Sequence, residues 1–195
     1  MAAKKTTKKT TRKKSKGLDT KKLIISLIVI ALSVVTICTL FMPMFATETL
    51  VTNIITRVKG VDVFAGAFAG EATSEMSEGA LLLYSLKTGE ETGFVTNVFM
   101  WSYMITLLVS VVTLAFAVLS LLGIKIKNAN LIIGAVLVIL ALVTFIFAII
   151  VASKNTSITE VFGNKTGIQG FITIGSYLLL GTLACGGAHA YSEKA

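Results

Sequence analysis

Few residues in this chain could do chemistry, and their spacing brings hardly any of them together. His189 is the only histidine, and Cys38 and Cys185 are the only cysteines. A histidine without a neighbouring acid, cysteine or second histidine forms neither a metal set nor a proton relay. His189 is therefore expected at the inner membrane interface, with a proton-linked role as the sharper alternative. Cys185 reads as a small packing residue, although a site near the cytoplasmic face would suit palmitoylation. Neither cysteine lies in a loop, which excludes an exported disulfide framework. No Gly-rich turn opening a helix offers a phosphate cradle. The chain is thus not expected to be an enzyme, with no catalytic, metal or cofactor-binding residues and no cofactor.

The hydroxyls are better organised. Ser102, Thr106, Ser110, Thr113, Ala117 and Ser120 are spaced 4, 4, 3, 4 and 3, which is one stripe down a helix. Gly134, Ala141 and Ala148 recur every seven residues with Thr144 alongside, and Gly181, Ala184, Cys185 and Ala188 fall at i, i+3, i+4 and i+7. Small residues let helices approach closely and hydroxyls can bond across the seam, so these positions are expected to pack helix on helix. A polar pore lining is the alternative for the first stripe. It lacks the charged or amide residues that mark an ion or substrate path.

Those stripes lie in four uncharged apolar runs, Leu23–Met42, Ser102–Ile124, Leu131–Ala152 and Phe171–Tyr191. About 20 apolar residues cross a hydrocarbon core, and in lipid the backbone must satisfy itself as helix. The fold class expected is an all-α membrane protein: an antiparallel four-helix transmembrane bundle with spans at about 23–45, 95–124, 129–152 and 171–191. Only Lys-Ile-Lys-Asn-Ala-Asn (125–130) joins the second and third spans, so they must be antiparallel neighbours. Pro43 is expected to end the first helix, and Trp101 and Tyr103 mark the outer interface of the second.

The outer loops, 46–94 and 153–170, are expected to build a small extracytoplasmic β cap. Thr49–Val58 is rich in β-branched residues and reads as a strand, Lys59-Gly60 as a tight turn and Val61–Phe64 as the return strand. Ser77 should cap a helix over Glu78–Leu86, with Gly89 beyond its end. Leu81–Tyr84 are too apolar for a free surface. Ser157–Phe162 reads as a strand turned at Gly163-Asn164, positioned to pair with the hairpin. Asn155 and Asn164 open glycosylation acceptor patterns. Loop 46–94 holds seven acids against three bases, a solvated face or a partner-binding surface.

The formal net charge of +8 is concentrated at one end, because ten of the eighteen Lys and Arg lie in residues 1–22. That Lys/Thr-rich segment reads as a disordered cytoplasmic tail. Lys4, Lys5, Lys8, Lys9, Arg12, Lys13, Lys14, Lys16, Lys21 and Lys22 would contact anionic lipid at the membrane surface, at about 1 kcal/mol each. Nucleic acid ranks last as a partner, since no aromatic accompanies the lysines. Signal cleavage after Ala46 is disfavoured by Met44 at the −3 position. The basic residues place both termini in the cytoplasm by the positive-inside rule, giving a multi-pass protein of the cell membrane.

Four spans with a larger first outer loop are similar in topology to claudins and other tetraspan proteins. The first-loop Trp and Cys pair of claudins and the Cys-Cys-Gly motif of tetraspanins are missing. A closer resemblance is to small four-span membrane proteins of Gram-positive bacteria. It rests on the Phe-Met-Pro-Met-Phe exit at Phe41–Phe45 and the segment Val-Lys-Gly-Val-Asp-Val-Phe-Ala-Gly at Val58–Gly66. This resemblance covers roughly residues 20–191 and implies topology, with no activity to carry over. The function expected is a structural or accessory component acting by contact, with a membrane-protein partner or its own copies. The alternative is a subunit of an oligomeric channel or transporter.

Overall fold

The structure is a computed structural model describing residues 20–124, 128–161 and 164–192. It is mostly helical, with one small antiparallel sheet. Three helices are long and apolar enough to cross a membrane: α1 (Thr20–Cys38) with the 3₁₀ turn Thr39–Phe41 that prolongs it, α4 (Gly93–Leu121) and α5 (Ala129–Lys154). A fourth long helix, α6 (Ile174–Ser192), packs with them. The ring runs α1, α4, α5, α6 and back to α1, each helix touching two neighbours.

Beyond one end of the ring lies a cap. Strands β1 (Pro43–Thr49), β2 (Ile54–Lys59), β3 (Ser157–Val161) and β4 (Asn164–Ile172) form one sheet in the order β2-β1-β4-β3, antiparallel throughout. The two loops thus share one sheet, with β1 beside β4 from Phe45↔Ile172 to Thr49↔Ile168. Helices α2 (Gly60–Phe68) and α3 (Glu78–Thr88) complete the cap. The N-terminal end of α3 covers the β2 edge so closely that a Cβ at Gly79 would sit 2.7 Å from the Arg57 carbonyl oxygen. An uncovered edge would be a template for pairing with another chain.

The predicted hairpin exists, in a different place. Its first strand is Pro43–Thr49, and its turn is Leu50–Asn53, where both Thr52 and Asn53 donate their N–H to the Thr49 carbonyl. Asn53 has a φ of 53°, the left-handed conformation that Asn tolerates best after Gly. The predicted return strand Val61–Phe64 is helical instead. Asp62, at the third position of α2, accepts the Lys59 N–H at 2.7 Å, and a carboxylate there satisfies one of the helix's free N–H groups. The first span also stops short of residue 45, because Pro43 already belongs to β1. Residues 171–172, assigned to the fourth span, finish β4.

Ser77 caps α3, accepting the Ala80 N–H at 3.2 Å, and Gly89 follows its last residue. The Ser77 hydroxyl donates in turn to Asp62 at 2.5 Å, tying the start of α3 to the start of α2. At the other ends, Lys87 Nζ donates to the carbonyls of Ala67 (2.9 Å) and Ala69 (3.2 Å), which places a cation at the negative terminus of α2. The two helices therefore run side by side in the same direction. β3 lies where a strand was predicted; of the predicted turn Gly163-Asn164, Asn164 already belongs to β4 and Gly163 lies outside the described residues, as do the basic tail through Asp19 and the link 125–127.

One apolar core joins cap to bundle, with Phe45, Val58, Val63, Leu83, Phe99, Met100, Tyr103, Ala148, Val151 and Leu179 all buried. α4 explains the join. Its 29 residues span about 43 Å at 1.5 Å per residue, well beyond a core of about 30 Å. The surplus at its N-terminal end carries Thr96, Phe99 and Met100 into the cap. A second cluster, Val29, Ala117, Leu137 and Cys185, fills the far half of the ring.

Asp62 is 6% exposed and holds two donors. Asp62→Ala strands the Lys59 N–H and the Ser77 hydroxyl, and should cost about 1–3 kcal/mol. Asp62→Asn, which keeps an acceptor, should cost less. Thermal unfolding of the detergent-purified full chain checks the order.

Candidate functional site

The predicted stripe on α4 points inward. Ser102, Thr106, Ser110, Thr113 and Ala117 are buried, and Ser120 is half-buried at the far end. Each hydroxyl of the buried stretch has a carbonyl acceptor on its own helix: Ser102 to Phe99, Thr106 to Ser102, Ser110 to Thr106 and Thr113 to Val109, at 2.7–3.0 Å. Thr106 also meets Thr144 of α5 at 3.1 Å. Between α1 and α6, Thr36 meets Thr182 at 3.0 Å and Ser33 meets the Cys185 sulfur at 3.4 Å. Thr39 and Tyr103 bond at 3.0 Å where the 3₁₀ turn passes α4. The hydroxyls of Thr36, Thr39, Thr106, Thr144 and Thr182 and that of Ser33 bond across seams, while those of Ser102, Ser110 and Thr113 are taken up by their own helix.

On α5, Gly134, Ala141 and Ala148 are buried on one face. The inward face of α6 is rotated from the predicted one. Cys185 is buried and Ala188 half-buried, but Ala184 is exposed and a Cβ at Gly181 would meet nothing within 4 Å. The buried face instead runs through Gly175, Ser176, Leu179, Thr182, Cys185, Gly186 and His189. The contact that sets this rotation is Gly186 against Gly134, where a Cβ on Gly186 would come within 2.6 Å of the Gly134 carbonyl oxygen. α6 carries small residues on several faces, so spacing alone selects two stripes equally well. Its polar residues break the tie, since Ser176, Thr182 and His189 all turn inward. His189 is 1% exposed, so it is inside the protein and not at the interface expected of it. Of the ten basic positions assigned to lipid contact, Lys21 is exposed and Lys22 half-buried in the first turn of α1, and the other eight lie outside the described residues.

Outward, the same helices are apolar. α1 exposes Leu23, Ile24, Leu27, Ile28, Val34 and Val35, and α6 exposes Ile174, Tyr177, Leu180, Ala184 and Tyr191. A concavity interrupts this belt. It is a groove of about 390 Å³ between Ile37 and Leu40 at the cap end of α1, Phe64 and Phe68 of α2, and Trp101, Met104, Ile105, Leu107, Leu108 and Val111 of α4. Its lining contains no charged residue. At its cap-side rim Phe68 and Trp101 meet edge to face, with centroids 6.0 Å apart. Phe68 also borders a second, wider depression of about 730 Å³, with Ala65, Ala69, Gly70, Glu71, Thr73 and Met76. A single exposed ring thus separates an apolar groove from one of mixed lining that carries Glu71 and Thr73.

Neither concavity was visible in the sequence, because α2 was read as a strand. Read as a helix, Phe64 and Phe68 share a face, as do Trp101, Ile105 and Leu108. Among the described residues no three His, Cys, Asp or Glu side chains come together as a metal-binding group. The chain matches no known protein-family model, no curated protein and no solved structure.

The rotation of α6 gives a direct contrast. Gly186→Ala should destabilise by about 1–3 kcal/mol by overpacking against Gly134. Gly181→Ala should be neutral or slightly stabilising, since Ala is the better helix former. Denaturation of the two purified variants beside the parent checks the difference.

Proposed function

We propose that the protein is a four-pass membrane protein that works by contact, with both termini on the cytoplasmic side and its cap outside the cell. The carrying observation is the cap's exposed apolar ledge. Val51 and Ile54 at the end of the β1–β2 hairpin are 67% and 59% exposed. Ile168 of β4 stands in the same cross-strand row as Thr49 and Ile54, and is also exposed. The other end of this sheet face is buried on the bundle through Phe45, Val58 and Ile172. The face therefore starts on the protein's own core and continues past its rim with aliphatic side chains in the open. Exposed apolar patches outside a bilayer mark contact surfaces.

The fourth pass is supported by α6. Nineteen residues span about 28 Å. Its composition is less apolar than that of the other three because its glycines, Ser176, Thr182 and His189 are mostly on the buried face. Its outer stripe is apolar, with Tyr177 and Tyr191 near opposite ends, as interfacial aromatic belts require. Four passes put both termini on one side, and the distribution of basic residues puts that side in the cytoplasm. Contact is favoured over conduction by the filled ring, whose inward hydroxyls are bonded to their own backbone or across helix seams.

Partner capture by chemical crosslinking in native membranes tests the reading. The full chain should yield a stoichiometric membrane-protein complex, and an Ile54→Glu/Ile168→Glu double variant should lose it at least about tenfold, the effect of about 1.4 kcal/mol. Equal recovery of the complex by both chains would remove the ledge from the mechanism. Ion conductance by the purified chain in planar bilayers would replace contact with transport.

A further inference from the structure

We propose that the groove between α1, α2 and α4 is a lateral lipid site. It takes one acyl chain of a membrane lipid, with a head group that donates hydrogen bonds and carries no net negative charge. The site rests on the membrane reading above, and its test separates the two.

The groove is continuous with the apolar belt. Ile105, Leu108 and Val111 line it and also face outward from α4, 44%, 66% and 53% exposed. A hydrocarbon chain in the surrounding lipid can enter sideways without leaving an apolar medium. Its volume limits the occupant. A helix about 10 Å across with a 5.4 Å pitch fills about 400 Å³ per turn, so 390 Å³ admits a single turn at most. A single acyl chain can follow the floor.

An apolar groove does not by itself select a lipid, because lipid tails are as apolar as the groove. Selection must come from the head group, and the second depression supplies it. The depression begins on the other side of Phe68 and carries the exposed carboxylate of Glu71 and the hydroxyl of Thr73. An ammonium or hydroxyl head can donate to these groups. A phosphate with uncompensated charge would face the Glu71 carboxylate, while the neighbouring cation, Lys87, is already engaged by the Ala67 and Ala69 carbonyls, and be repelled. Phe68 is the hinge point. It is 70% exposed, borders both concavities and rests edge-on against Trp101, so an amphiphile must bend around it with tail on one side and head on the other.

Trp101 lines the groove and is the chain's only tryptophan, which makes it a built-in reporter. The full chain is placed in phosphatidylcholine vesicles with rising fractions of lipid brominated on its acyl chains, carrying either a phosphatidylethanolamine or a phosphatidylglycerol head. Bulk contact quenches in proportion to mole fraction and ignores the head group. The site predicts saturable quenching by the ethanolamine lipid at low mole fraction, about twofold above the glycerol lipid, as mass action on one preferred site gives. Phe68→Ala should abolish the excess, and Glu71→Gln should reduce it while leaving bulk quenching unchanged. Proportional quenching by both lipids overturns the site and leaves the membrane reading intact. Quenching that falls as the protein-to-lipid ratio rises assigns the groove to a second copy and also overturns the site. Absence of quenching by either lipid overturns the membrane reading itself.

Discussion

The pairing of β1 with β4 is the constraint on which the rest of the architecture depends. β1 begins one residue after the 3₁₀ turn that ends the first membrane segment, and β4 ends one residue before α6. Joining the two strands brings the first and last long helices together at the cap end, whatever their own affinity. The junction is then locked from α6. Thr173 donates through its hydroxyl to the Pro43 carbonyl, Ser176 donates to the Met44 carbonyl at 2.6 Å, and the Thr173 N–H donates to the same Met44 oxygen at 3.0 Å. Gly175 lets the chains approach, since a Cβ there would lie 2.5 Å from the Pro43 oxygen. Strand carbonyls near a bilayer must find donors within the protein, and hydroxyls at the start of α6 provide them.

Below that junction the bundle buries its hydroxyls among small and apolar side chains and is aliphatic outside. α1 buries Ser26, Ser33 and Thr36 and exposes leucine, isoleucine and valine. This pattern follows from the solvent. Between helices in lipid there is no hydrophobic driving force, so association relies on close packing and on bonds across the seam. Each interhelical hydroxyl bond contributes only about 0.6 kcal/mol on average. Thr36–Thr182 and Thr106–Thr144 therefore set the rotation of their helices more than they set stability. Close backbone approach, as at Gly134 and Gly186, supplies the contact area.

What could be read from the sequence divides along the same line. The long apolar helices were legible because lipid demands unbroken apolar runs. The inward stripe of α4 was legible because its hydroxyls keep a helical period through an otherwise aliphatic segment. The start of α3 was legible from Ser77 and Glu78, a local signal that needs no tertiary contact. The hairpin was displaced because Lys59-Gly60 resembles a turn, whereas Asn53 sits unmarked among β-branched residues. Asp62 decided the matter: three residues after Lys59, it starts a helix at the point where β propensity alone continues a strand. The N-terminal part of β4 was missed because Asn164–Gly170 contains two glycines and little apolar alternation, and it is a strand by virtue of lying between β1 and β3. The groove required α2, α1 and α4 together, and such long-range convergence leaves no periodic trace in one segment. For α6, the apolar run was legible, but small residues on several faces left its inward stripe undecided until Gly186 met Gly134.

The cap is not a separate domain on a linker. One residue separates β4 from α6, two separate α5 from β3, and Met42 alone separates the 3₁₀ turn from β1. Phe99, Met100 and Tyr103 belong to a spanning helix and to the cap's core at once. Trp101 lies on the same turns, on the outward side, against Phe68 of the cap. A load on the hairpin ledge is therefore carried directly into α1, α4 and α6, with no flexible segment among the described residues to absorb it. Packed elements of this kind shift as rigid bodies when they shift at all. The proposed contact at the ledge and the proposed occupant of the groove would then act on one body: α2 forms one groove wall, while β2, which immediately precedes it, carries Ile54. A partner seated on the ledge would therefore move Phe64, Phe68 and Trp101 together, and the groove between them would keep its shape.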